Sequence, residues 1–381
     1  MLMAAVLAGA AGQGVFIACG IVFAVRWVGI APHDIGVGMT LSAVFSLVVP
    51  VPAGRLAETI GARTAAIVFS AVAAMALGGY AFVSSPLTFC LVQLMVSGAI
   101  VGLVIAQNTL VADLLDGGDR VRFKARQRSV RNIGLSVGAL FAAVPLQLDQ
   151  RWAYQVALLV GAVCAAGAVW LTACLPRDPD WSSRPRPAWA TGVRDVWFAV
   201  MSVLCGVTAM RYAVLTVALP LWITTHTRAP AALAAVAVVL NTAIVILLQV
   251  RASRKAATAG GAVRVNLVGS AALGLSCLLF ASAEVGSPVV ASALLLAGVV
   301  VFTLGEMWTS AAAWTFSFEL TRDERHAQYQ AAFSLGSSLG STPGPLLAAL
   351  LVGAGQAGWG AGVVVFLLTG LATAAVVGGR S

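Results

Sequence analysis

The sequence predicts an all-α membrane protein, with twelve transmembrane helices in two pseudo-symmetric six-helix bundles. Three observations carry this. The 381 residues are 60% hydrophobic and only 10% charged, whereas soluble domains carry about 25% charged residues. The apolar residues gather into twelve runs, each near the roughly 20 residues that cross a hydrocarbon core as a helix. The basic residues occupy alternate gaps between those runs.

The first six runs are 4–25, 35–51, 64–83, 87–113, 130–148 and 154–175. The second six are 196–222, 231–250, 265–283, 289–318, 329–352 and 359–377. The opening run superficially resembles a signal peptide, but it has no positive n-region and continues through Val25, so it reads as a span. The longest gap, RDPDWSSRPRPAWATGVRD at 177–195, is rich in proline and charge and lies at the midpoint. It predicts a linker at 176–194 joining one six-helix bundle over 1–175 to a second over 195–381.

Charge placement orients the chain. The even-numbered gaps hold Arg55 and Arg63, then Arg120, Arg122, Lys124, Arg126 and Arg128. Further along come the linker arginines, the cluster Arg251, Arg254, Lys255 and Arg264, and the pair Arg322 and Arg325, with Arg380 after the last run. The odd gaps hold only Arg26, Arg151 and Arg228. Cytoplasmic loops carry the excess of Lys and Arg, so the even gaps, the linker and both termini are expected in the cytoplasm. The formal charge of +9 does not predict nucleic-acid binding, because no basic face interleaved with stacking aromatics exists.

The six cysteines lie in apolar runs without a CxxC pair, which predicts buried free thiols. No GxxxxGKS/T phosphate loop, HExxH or GxSxG motif occurs, and there are three histidines. ATP hydrolysis, a metal site, a cofactor and enzymatic chemistry are therefore not expected. The halves repeat weakly. ARQRSVRNIGLSVG from Ala125 aligns with AQYQAAFSLGSSLG from Ala327, placing Gly134 and Gly138 on Gly336 and Gly340. Small residues four apart predict close helix packing at the same place in each half.

Between the second and third runs lies PAGRLAETIGART, 52–64. Its core GRLAETIGAR resembles the loop motif of the major facilitator superfamily, roughly G-x-L-A-D-R/K-x-G-R/K-R/K. Gly54, Leu56, Ala57, Gly61 and Arg63 match, Arg55 fills the free position, Glu58 replaces the aspartate, and Thr59 and Ala62 replace basic residues. Stretches 240–254 and 303–320 resemble actinobacterial members, many of whose relatives are drug or metabolite efflux proteins. The resemblance covers essentially the whole chain. It implies the major facilitator fold and proton-coupled export of a small amphipathic compound by alternating access. The alternatives are a proton-coupled uptake symporter for a nutrient, and a non-transporting receptor or scaffold. Small molecule, protons and lipid bilayer are the expected partners, with the chain a monomer.

The same resemblance assigns roles. Glu58 is expected to meet the amide-rich start of the eleventh helix near Tyr329, which favours negative charge. Arg63 is expected to pair with Asp113, and the two contacts together would form an inner-side latch. The competing reading is a tight glycine turn with a solvated charged face.

Four ionisable residues lie within or at the ends of runs: Asp113, Arg131, Arg211 and Glu306. A charge at the bilayer centre costs at least roughly 2.5–3.5 kcal/mol and usually faces a cavity or partner. Asp113 and Arg131 lie near cytoplasmic ends, whereas Arg211 and Glu306 lie deeper. In the resembling family the first, fourth, seventh and tenth helices line the central cavity. Arg211 falls on the seventh and Glu306 on the tenth, which makes them the proton-coupling candidates. Gln13, Gln107, Asn108, Asn241 and Trp308 are the substrate-cavity candidates. The third, sixth, ninth and twelfth runs carry no charge in their interiors, which suits the lipid-facing places the family gives them. Trp222 reads as an interfacial belt residue.

Overall fold

The computed structural model describes residues 1–175, 195–321 and 326–379. Among them eleven helices are long and apolar enough to cross a membrane, and one bent pair brings the number of spans to twelve. In chain order the first-half helices are α1 (Leu2–Arg26), α2 (Pro32–Val48), α3 (Pro50–Ile60), α4 (Ala62–Tyr80), α5 (Pro86–Leu114), α6 (Gly117–Leu148) and α7 (Arg151–Ala173). The second-half helices are α8 (Val196–His226), α9 (Leu233–Ala256), α10 (Ala259–Ser282), α11 (Pro288–Glu319), α12 (His326–Ser341), α13 (Gly344–Gly353) and α14 (Gly355–Gly378). The expected linker at 176–194, and Arg322, Arg325 and Arg380, lie outside the described residues.

Local chemistry sets the ends. Asp195, Thr258 and Ser287 each cap a helix by accepting a backbone N–H three residues on, from Phe198, Gly261 and Val290, as short oxygen-bearing side chains do at N-termini. Pro50 has no N–H to give back to the preceding turn, and the chain bends by 50° between α2 and α3. Span two is therefore a bent pair rather than the single rod expected. The polar motif is not a loop either. Pro50–Ile60 is helical, and the reversal into α4 is made by Gly61 at φ 89°, a left-handed conformation that costs glycine little.

Close packing divides the chain into two compact units. The first comprises Met1–Leu114, Gln127–Thr191 and Arg325–Ala331; the second comprises Leu115–Arg126, Gly192–Glu324 and Ala332–Ser381. Within the first, α1 packs on α7, α4 on α5, α4 on α7 and α2 on α5. Within the second, α8 packs on α14, α10 on α11, α10 on α14 and α9 on α11. Counted as spans, these are the same four pairings shifted by six.

The glycine pairs of the repeat add a fifth matched contact, span five on span one and span eleven on span seven. A Cβ on Gly134 would lie 2.7 Å from the Leu7 carbonyl oxygen of α1, and one on Gly336 would lie 2.6 Å from Cβ of Ser202 in α8. Gly138 and Gly340 face the Ala11 and Val203 carbonyls still more closely. Only hydrogen fits between those backbones, so the repeated glycines are packing residues, as expected.

Each core is aromatic. In the first unit Tyr80 meets Phe16 edge-on, with ring centroids 4.8 Å apart, and Phe89 at 6.0 Å. In the second, Trp222 is fully buried, its indole N–H donates to the Phe280 carbonyl at 2.8 Å, and its ring meets Trp359 at 5.6 Å. Trp222 is thus a core anchor and not the belt residue its position near a helix end suggested. The cysteines are free, but only Cys19, Cys205 and Cys277 are buried, and Cys174 is exposed just past the end of α7.

Candidate functional site

Two constellations bring the sequence-predicted residues together. The first is the motif helix α3. Gly54 sits where α3 meets the first turns of α12: a Cβ there would lie 2.6 Å from Cβ of Ala331 and 2.9 Å from the Ala327 carbonyl. One turn further on, the Glu58 carboxylate receives two hydrogen bonds from Gln328, the backbone N–H at 3.1 Å and the side-chain amide at 2.7 Å. Gln328 is the third residue of α12, and N–H groups of a first turn have no intrahelical acceptor. Their partial positive charge also favours a carboxylate. Glu58 therefore goes to the start of the eleventh span, one residue before the expected Tyr329.

Arg63 behaves differently. Its Nε donates to the Leu175 carbonyl at 2.8 Å and its Nη2 to the Ala173 carbonyl. It caps the C-terminal carbonyls of α7, where a cation is favoured, and is not bonded to Asp113. The cause is position: Arg63 is the second residue of α4, which packs on α7. Asp113 lies half-buried in the last turn of α5, and Arg55 is exposed on α3.

The second constellation is buried in the second unit. Glu306 lies in the middle part of α11 and is 2% exposed. Its Oε2 accepts from Asn241 Nδ2 of α9 at 2.7 Å, and the same amide reaches Thr303 Oγ1 at 3.0 Å. Arg211, midway along α8 and 5% exposed, donates from Nη1 to the Thr208 carbonyl at 2.9 Å and from Nη2 to Ser310 Oγ at 2.7 Å. Arg211 thus reaches α11 one turn past Glu306 without bonding to it. Directly after Arg211 and its two neighbours, Val214–Ala218 winds as a π-helix, an uncommon distortion found frequently at functional sites.

The sequence pattern pointed to Glu306, Arg211 and Asn241 but not to Thr303 and Ser310. Positions 303, 306 and 310 share one helix face, so spacing alone could have found them. In the first unit two candidates meet unforeseen partners on α6: Gln107 Oε1 accepts from Gln127 at 2.8 Å, and Gln13 Oε1 from Arg131 at 3.3 Å. Gln127 and Arg131 are again four apart. Asn108 and Trp308 are half-buried on α5 and α11. No group of three metal-ligating side chains occurs among the described residues.

Against sequence families, residues 1–345 match the profile described as Major Facilitator Superfamily. The chain belongs to that superfamily. As a major facilitator protein it is a transporter by family and fold, not an enzyme. A comparison with curated protein sequences gives no match. Solved structures share the fold at low identity. A form of the E. coli fucose:proton symporter FucP aligns at TM-score 0.74 and 15% identity, covering 100% of this chain and 97% of FucP. A bacterial homologue of the iron transporter ferroportin aligns at TM-score 0.76 and 13% identity, covering 100% and 98%. The proton:xylose symporter XylE aligns at 0.72 and 14%, covering 98% and 94%.

Proposed function

We propose that this major facilitator protein is a secondary transporter that exports a small amphipathic compound in exchange for protons. Its two six-helix bundles, joined by the 176–194 linker, alternate access to a central site. The observation that carries the coupling is Glu306, a carboxyl almost wholly enclosed in the second unit and tied to Asn241. A carboxyl deep in a membrane protein is costly unless it serves a pathway or relay, and protonation lets it shed its charge. Asn241, itself bonded to Thr303, holds the group in place while it loads and releases a proton.

Gln13, Gln107, Asn108, Asn241 and Trp308 are the candidate substrate contacts, amide and aromatic side chains of the kind suited to an amphipathic compound. The protein works as a monomer in the bacterial inner membrane with both termini cytoplasmic. The direction of transport rests on the resemblance of 240–254 and 303–320 to efflux proteins. Uptake by symport is the second reading, and FucP and XylE, both proton symporters, favour it.

Everted vesicles energised to an acid interior test all three readings, with a pH-sensitive dye reporting the gradient as compounds are added. Export by exchange predicts that a substrate discharges the gradient in wild type. The variant Glu306→Gln should still bind that substrate without discharging it. Discharge by Glu306→Gln at the wild-type rate removes the proton role. Compound-dependent alkalinisation only in right-side-out vesicles selects symport. No proton movement in either orientation leaves the receptor or scaffold.

A further inference from the structure

Arg211 carries a charge that the proton role alone does not explain. It lies fifteen residues from either end of α8 (Val196–His226), so it sits near the middle of the span. Its direct partners are neutral. Nη1 donates to the Thr208 carbonyl, Nη2 to the Ser310 hydroxyl, and the guanidinium lies 4.9 Å from the centre of the Tyr212 ring. Nε is buried with no hydrogen-bond partner. No carboxylate lies within ion-pair distance of Arg211 among the described residues. Glu306, one turn before Ser310 on α11, accepts from Asn241 Nδ2 through its Oε2.

The geometry is directional. Nε and Nη2 lie along one edge of the guanidinium, the edge that takes a carboxylate through two parallel hydrogen bonds. One of those donors is unmet and the other holds a neutral hydroxyl that a stronger acceptor can displace. Nη1, fixed to the backbone beside it, keeps the edge oriented. A buried cation without an anion is expensive, and a cationic ligand would be repelled from it.

We propose that Arg211 is an anion-binding residue, and that the transported compound carries a carboxylate which docks on its Nε–Nη2 edge in place of Ser310. The compound class narrows from amphipathic to anionic amphipathic. This rests on the carrier reading above only for the word transported, because binding is measurable without flux.

The test uses the full chain in detergent and three isosteric probes: benzoate, benzamide and benzylamine. The readout is saturable stabilisation against thermal unfolding, since a ligand that binds only the folded state raises its apparent stability. Benzoate should stabilise the wild type saturably, with benzamide and benzylamine at least about tenfold weaker. Arg211→Gln should lose the benzoate response. Arg211→Lys keeps the charge but not the two-donor edge, so its response should weaken; it decides the matter if the glutamine variant does not fold. No saturable benzoate response in the wild type, an equal response to benzamide, or a response that survives Arg211→Gln or is undiminished in Arg211→Lys overturns the proposal. Proton flux through Glu306 is scored in the separate vesicle assay, so either idea can fail alone.

Discussion

Glu58 accepts from Gln328 twice, once from the backbone N–H and once from the side-chain amide, at 3.1 and 2.7 Å. The residues are 270 apart in sequence. Hydrogen bonds to a charged group contribute about 1.5–3 kcal/mol each, and a half-buried position falls toward the low end of that range. Residues up to Ala331 of α12 cluster with the first unit, while the helix continues from Ala332 in the second.

A bond at that helix start is suited to hold one state of a transport cycle. Glu58→Gln keeps one carbonyl oxygen for the N–H but loses the charge. It should slow transport by roughly tenfold, the equivalent of about 1.4 kcal/mol, with expression intact. Gln328→Ala keeps the backbone donor and should slow transport less. Initial rates in proteoliposomes measure both, and an unchanged rate for Glu58→Gln removes the latch role.

The spans were legible because run length against bilayer thickness is a one-dimensional property. The 50° bend at Pro50 and the helical state of GRLAETI were not. Arginine, glutamate and glycine in a gap read as a loop, yet this segment packs Ala53 and Ala57 inward and needs only Gly61 to turn. Arg63 was misassigned because an arginine and a carboxylate at neighbouring span ends look like an ion pair. The packing of α4 on α7, which offers it the end of α7 instead, is invisible in the sequence. For the buried site the residues were legible and their bonds were not. Asn241 and Glu306 are 65 residues apart and meet only because α9 packs on α11. Ser310 was within reach of spacing alone.

The repeated glycines give a stability prediction with an internal control. A methyl on Gly138 or Gly340 would press into the Ala11 or Val203 carbonyl, and overpacking of this kind costs typically about 1–3 kcal/mol. A methyl added at Gly167 or Gly360, in α7 and α14, would meet nothing within 4 Å. An alanine there should be neutral or stabilising by up to about 1 kcal/mol, from the lower entropy cost of fixing alanine in a helix. Thermal unfolding of the four Gly→Ala variants in detergent checks the ordering. Equal loss at all four positions would mean that close approach is not what the glycines provide.

Topology follows from the basic gaps and is testable by labelling. Lys255 is exposed in the last turn of α9, beside the gap before α10, and Val285 is exposed in the gap between α10 and α11. Because Cys174 is exposed, single cysteines are best introduced after Cys174→Ser. In intact cells an impermeant maleimide should label Val285→Cys and spare Lys255→Cys until the membrane is opened. The reverse pattern inverts the protein and moves the α3 motif to the outer side.

Trp222 separates a core tryptophan from a lipid-facing one. Its burial is complete, its N–H is satisfied by the Phe280 carbonyl, and its ring stacks on His226 at 4.4 Å with the planes inclined by 13°. Large-to-small changes at such aromatic sites cost about 3–5 kcal/mol. Trp222→Ala should therefore lower the unfolding temperature sharply. Trp222→Phe keeps a ring against Trp359 but loses the hydrogen bond and part of the packed area, so it should fall between. Trp170, on α7 and 68% exposed, touches little protein, and Trp170→Ala should change detergent stability by no more than about 0.5 kcal/mol. If Trp170→Ala destabilises as much as Trp222→Ala, the second unit is not anchored on the Trp222–Phe280–Trp359 cluster, and the belt reading of Trp222 returns.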